Sequence, residues 1–111
     1  MKKEYRIKKN EEFQRIIRKR KSVANSRFVV YYLPNDTHLH VGISVSKKLG
    51  HAVVRNQTKR QVRMMVQQVF DPNQKYDFII IVRNSFLDHS YEDNKKELVY
   101  LYNKIMKRME K

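Results

Sequence analysis

Nine consecutive residues, Arg55-Asn56-Gln57-Thr58-Lys59-Arg60-Gln61-Val62-Arg63, carry the most concentrated chemistry in the chain. On a helix with Arg55 as origin, Lys59 falls at about 40°, Arg63 at about 80°, Asn56 at about 100° and Arg60 at about 140°. One arc is therefore basic, and no acidic residue stands between Lys47 and Phe70 to neutralise it. Arginine predominates, and its planar guanidinium matches phosphate oxygens two at a time; Asn56 adds a hydrogen-bonding amide. A face that served only solubility would intersperse Glu with Lys. The pattern points to contact with RNA or DNA.

A second group, Phe13, Ile17 and Tyr31, lies around and between basic stretches and suits an apolar or aromatic platform for unstacked bases. The i,i+4 spacing of Phe13 and Ile17, taken alone, favours core packing, with that helix face turned onto a sheet. Tyr31 and Tyr32, as neighbours on a strand, must point to opposite faces. His38 and His40 share a strand face, but His51 and His89 supply no helical HxxxH spacing and the chain has no cysteine, so no zinc or other protein metal site is expected. Glu11/Glu12 and Glu92/Asp93 stand at helix starts, where the helix dipole accounts for them. There is no glycine-rich phosphate loop, nucleophile elbow or carboxylate cluster suited to two metals. No residue of the polypeptide is therefore expected to be catalytic.

Composition sets the frame for both groups. With 111 residues the chain suits one domain, residues 1–111, and 41% hydrophobic content suffices for a core. The net charge is +14, and its placement is uneven: eleven cations face three acids in residues 1–27 and six face none in residues 47–63, while the remainder sums to zero. Two basic patches on one chain imply a polyanionic partner. The start has no signal-peptide core, and no apolar run approaches the roughly 20 residues of a membrane span. A soluble cytoplasmic protein without a membrane partner is expected.

These groups need elements to hold them. Asn10 is placed as the cap of a first helix that carries Glu11 and Glu12 in its first turn, shows Phe13, Ile16 and Ile17 on one face, and ends in Arg18-Lys19-Arg20-Lys21. Phe28-Val29-Val30-Tyr31-Tyr32 reads as a strand closed by Pro34-Asn35-Asp36. Leu39, Val41, Ile43 and Val45 then alternate with His38, His40, Gly42 and Ser44, which predicts one buried and one solvated face, with an extra short strand if the chain bends at Gly42. A helix from about Ala52 to Phe70 turns Val62, Met65, Val66 and Val69 inward. Asp77-Phe78-Ile79-Ile80-Ile81-Val82 reads as a central strand buried on both faces. Ser90 and Asp93 resemble a capping box for a last amphipathic helix carrying Leu98, Leu101, Tyr102, Ile105 and Met109. The architecture this implies is α+β, with the sheet on one side and the helices on the other.

The segment Val41-Gly42-Ile43-Ser44-Val45-Ser46-Lys47-Lys48-Leu49-Gly50, then Ala52-Val53-Val54-Arg55-Asn56, Lys59-Arg60 and Arg63, closely resembles the signature of the bacterial ribonuclease P protein family. Arg6-Ile7-Lys8-Lys9-Asn10-Glu11-Glu12-Phe13 and the strand at Phe28 extend the resemblance over nearly the whole chain. It implies a single-domain α/β sandwich with a central four-stranded sheet and three helices in αβββαβα order, containing a left-handed βαβ crossover. It also implies an endoribonuclease ribonucleoprotein whose RNA, with its magnesium, cleaves precursor tRNA to leave the mature 5′ end. Arg55, Asn56, Lys59, Arg60 and Arg63 would face the catalytic RNA. Phe13, Ile17 and Tyr31, with Lys47 and Lys48, would hold the 5′ leader of the precursor, Ile17 making an apolar contact where the family commonly has an aromatic. No small-molecule substrate is implied. The alternative is a structural RNA-binding protein, such as a small ribosomal component, which would share the charge, size and lack of a catalytic site.

Overall fold

The computed structural model describes residues 1–109. Its elements are α1 (Asn10–Arg18), β1 (Ser22–Ala24), β2 (Phe28–Pro34), β3 (His40–Val45), α2 (Ala52–Val69), β4 (Tyr76–Val82) and α3 (Tyr91–Met109), with one-turn 3-10 segments at Lys3–Tyr5, Lys47–Leu49 and Asn84–Asp88. This is the order the family resemblance implies. The sheet runs β1-β2-β4-β3, antiparallel except for the β3 and β4 pair. Two parallel neighbours need a crossover, and α2 supplies it. No helix of the described residues is long and apolar enough to cross a membrane.

The apolar run of β4 explains its central place. Phe78, Ile79 and Ile80 are fully buried although adjacent residues point to opposite faces. On one face Phe78, Ile80 and Val82 join Phe28, Val30 and Tyr32 of β2 and Val41 of β3, under Val62, Met65 and Val66 of α2 and Leu98, Leu101, Tyr102 and Ile105 of α3. On the other face Ile79 meets Ile16 of α1 and Ile7, ringed by the half-buried Phe13, Ile17, Tyr31, Leu33 and Ile81. Helices thus lie on both faces, not on one side as patterning suggested, because β4 has apolar residues to cover on each.

Other details depart from expectation. The fourth strand is Ser22–Ala24, paired with Tyr31, Val30 and Val29, and not the product of a bend at Gly42. β3 passes straight through Gly42, which is buried and not solvated. A Cβ built there would lie 2.6 Å from Phe13 Cζ and 2.9 Å from Ile79 Cδ1, so the missing side chain is what lets α1 approach the sheet. Asn10 is the first helical residue of α1; Lys9 precedes it with no side-chain cap, its carbonyl accepting from Glu12 N at 3.1 Å and Phe13 N at 3.2 Å. The helix stops at Arg18, short of Lys21, and Arg20 adopts φ 56°, a left-handed residue that turns the chain into β1. At α3 the expected cap is present: Asp93 N donates to Ser90 Oγ at 3.2 Å.

Candidate nucleic-acid interface

Burial of Val62, Met65 and Val66 fixes the rotation of α2 and leaves the opposite arc to solvent. Thr58, also buried, is satisfied within the helix, its hydroxyl donating to Val54 O at 2.9 Å. Asn56, Lys59, Arg60 and Arg63 then line an open cavity of about 460 Å³ together with Arg6 and Gln67, with no acidic side chain in the lining. Among the described residues the ion pairs all end on one acid, Asp77, so the α2 cations are unneutralised. Burial, and then the neighbouring Arg6, hold the Arg63 guanidinium below the usual arginine range. Cations crowded in this way are relieved by a phosphate among them. Arg55 stands apart, half-buried outside the cavity; among the described residues its buried Nε, like that of Arg6, has no hydrogen-bond partner.

Arg6 does not stand out from the other cations of the N-terminal segment in the sequence. Ile7 N donates to Val41 O at 3.0 Å and Arg6 forms a parallel bridge to Val41, so the N-terminal segment runs along the outer edge of β3 and delivers Arg6 to α2. The available signal was the excess of cations in residues 1–27; their destination required the fold.

The second group sits on the other face of the sheet. Strand register aligns Ser22, Tyr31, Ile79 and Gly42 in one row beneath α1, and Ala24, Val29, Ile81 and Ser44 in the next. Phe13 lies over Gly42, Ile16 is fully buried, and Ile17 and Tyr31 are half-buried beside them. Val29, Ile81 and Ser44 are only half-covered and Ala24 is exposed, which leaves an apolar strip open alongside the helix. Phe13 and Ile17 therefore belong to a small core and also present an accessible edge, so the two readings of their spacing are compatible. Lys47 and Lys48 are exposed in the turn after β3, at the end of the sheet where Val45 pairs with Val82. Leu49 is buried and Lys48 N donates to Ser46 Oγ at 3.1 Å, which holds the turn in place. An apolar floor with lysines at its end suits an unstacked single strand, since bases rest on apolar surface and phosphates seek cations.

The histidines have other work. His40 Nδ1 donates to Asp77 Oδ1 at 2.9 Å, and the His38 ring lies 4.5 Å from that of His40 and 5.1 Å from Tyr5.

Comparison with known proteins decides what this arrangement belongs to. The family model described as Ribonuclease P matches residues 1–106. The chain belongs to the ribonuclease P protein family. The ribonuclease P protein component of Bacillus velezensis is 48% identical over 106 residues, covering 94% of this chain and 91% of the relative. That of Mesoplasma florum is 49% identical over 104 residues, covering 91% and 94%. Among solved structures, a Staphylococcus aureus RNase P protein mutant with defective mRNA degradation activity superposes with a TM-score of 0.85 at 44% identity, covering 95% of this chain and 90% of that one. The RNase P protein from Thermotoga maritima gives 0.75 at 27% identity, covering 86% and 93%. As a ribonuclease P protein component, the chain serves an endoribonuclease that matures tRNA 5′ ends as a ribonucleoprotein, and its partner is RNA. That assignment excludes the ribosomal alternative.

Proposed function

We propose that the two surfaces divide the RNA between them: α2 with Arg6 holds the catalytic RNA of ribonuclease P, and the α1 side of the sheet holds the 5′ leader of precursor tRNA. The observation that carries this reading is the acid-free cavity of Arg6, Asn56, Lys59, Arg60 and Arg63, set on the opposite layer from the half-open apolar strip beside Phe13 and Tyr31. Dense unneutralised cations favour a folded polyanion whose backbone crowds phosphates together. A narrow apolar strip with lysines at one end favours a single strand.

The protein contributes binding and positioning. Gripping the leader adds affinity for the precursor that the mature product, lacking the leader, does not receive, so product release is eased. Cations between catalytic RNA and precursor also lower their mutual repulsion. Magnesium is assigned to the RNA, whose phosphate oxygens are the hard ligands that ion prefers. The reaction takes place in the cytoplasm on this reading, where tRNA precursors are made.

The deciding experiment mixes purified protein with the ribonuclease P RNA of the same cell and precursor tRNA. The protein alone is expected to leave precursor intact and the mixture to cleave faster than the RNA alone. Equal cleavage with and without protein would overturn the proposal.

A further inference from the structure

Asp77 is the most enclosed charge among the described residues, and three elements converge on it. Its residue is 5% exposed in the central strand, on the face that carries α1. Oδ1 accepts from Asn35 Nδ2 at 2.7 Å and from His40 Nδ1 at 2.9 Å, while Oδ2 accepts from Arg15 of α1 at 3.2 Å. The two oxygens thus have separate duties: one ties the loop after β2 to β3, and the other ties α1 to the sheet.

α1 needs such a tie. It has nine residues, too few for stability in isolation, and Ile16 is its one fully buried residue. On a helical wheel centred on Ile16, Phe13 and Ile17 lie at about 60° and 100° to one side and Arg15 at about 100° to the other. Across the sheet the same order holds. Asp77 shares a row with Leu33 and His40, the Tyr31, Ile79 and Gly42 row follows, and the open strip of Val29, Ile81 and Ser44 comes next. A helix seated on one buried residue is free to roll about its axis unless its shoulders are held. Phe13 on Gly42 holds one shoulder, and the Arg15 to Asp77 pair holds the other.

We infer that Arg15 and Asp77 are positioning residues for leader binding: their ion pair sets the roll of α1 and thereby the place of Phe13 and Ile17 over the open strip. The inference rests on the proposed leader-binding role of that strip. Arg15 is half exposed, its side chain at 55%, so a direct grip on a leader phosphate is the competing explanation for any effect of its loss.

Asp77→Asn separates the two. The substitution keeps an oxygen for Asn35 and His40 and puts an amide donor against Arg15, breaking the tie to α1 alone. It also removes a negative charge and frees Arg15, so electrostatics and a direct phosphate grip both predict unchanged or tighter binding of RNA. Positioning predicts the reverse.

In the reconstituted holoenzyme, Asp77→Asn is expected to weaken affinity for leader-bearing precursor about five- to tenfold. Affinity for mature tRNA, affinity for the catalytic RNA and the cleavage rate at saturating precursor should stay unchanged. Arg15→Met should reproduce that loss, the double variant should be no worse than either single one, and Arg15→Lys should restore most of it. Unchanged or tighter precursor binding by Asp77→Asn, or additive losses in the double variant, overturns the inference. Equal loss for mature tRNA does so too, since it marks a folding defect. Phe13→Ala, measured alongside, identifies which premise has failed: if it also spares precursor affinity the leader reading itself falls, and if it alone lowers that affinity only the positioning role falls.

Discussion

At the residue scale the proposed roles differ in kind, charge for the α2 surface and shape for the α1 surface, and the two are expected to respond differently to substitution. Arg60 is exposed in the acid-free cavity, so Arg60→Ala is expected to weaken catalytic-RNA binding uniformly. The salt dependence of that binding should flatten by about one unit for each phosphate the arginine had neutralised. A titration across salt concentrations checks this, and an unchanged slope would move Arg60 off the interface. Phe13→Ala acts on shape: affinity for leader-bearing precursor should fall while affinity for mature tRNA holds, and equal losses would mean that the variant is simply misfolded. Gly42→Ala tests the same packing from below. Its methyl group would meet the Phe13 ring at 2.6 Å, and because that ring is half exposed it can swing aside at a stability cost of about 1 kcal/mol. Leader affinity should therefore drop more than thermal stability suggests, as paired melting and binding measurements would reveal.

At the scale of elements, α1 is held by a different device from α2 and α3. α2 and α3 are long and share the larger core, so their placement rests on burial. α3 also begins with a true cap, and Ser90→Ala should cost about 1 kcal/mol by removing the acceptor of the Asp93 amide. Urea unfolding measures this; RNA affinity of the folded protein should be untouched, because Ser90 lies on neither surface. α1 is short, uncapped by a side chain and weakly buried, so it depends on one glycine beneath it and one ion pair at its flank. The 3-10 turn Lys47–Leu49 shows the same economy: one buried leucine and one serine cap present two exposed lysines.

For the whole molecule, a charge of +14 with few ion pairs among the described residues is a field aimed outward. Two polyanions brought together around such a protein repel less, so less magnesium is needed to offset them. The holoenzyme is therefore expected to outpace the RNA alone most clearly at low magnesium, with the gap narrowing as magnesium rises. A comparison of cleavage rates over a magnesium series checks this, and no advantage at the low end would contradict it. The N-terminal segment spans two cavities: Arg6 borders that of α2 and also the one lined by Arg15, His40 and Asp77, on the shoulder of α1 away from the open strip.

What could be read in advance was whatever repeats within one element. The basic arc of α2, the doubly buried β4 and the inward face of α3 each follow from local periodicity, and the motif around Arg55 to Arg63 carried the family with them. Pairings between elements were not legible, because several apolar strands of similar pattern can be neighbours in many orders. Tertiary structure alone inserted β4 between β2 and β3, made Ser22–Ala24 the fourth strand, and sent Arg6 to α2. It also joined Arg15 to Asp77 across 62 positions of sequence and gave Phe13 a glycine to rest on. Charge and periodicity are properties of a segment; they implied a polyanionic partner, and the motif that carries the family made that partner RNA. Which side chains meet is a property of long-range packing, and it decided where and how firmly the binding surfaces are held.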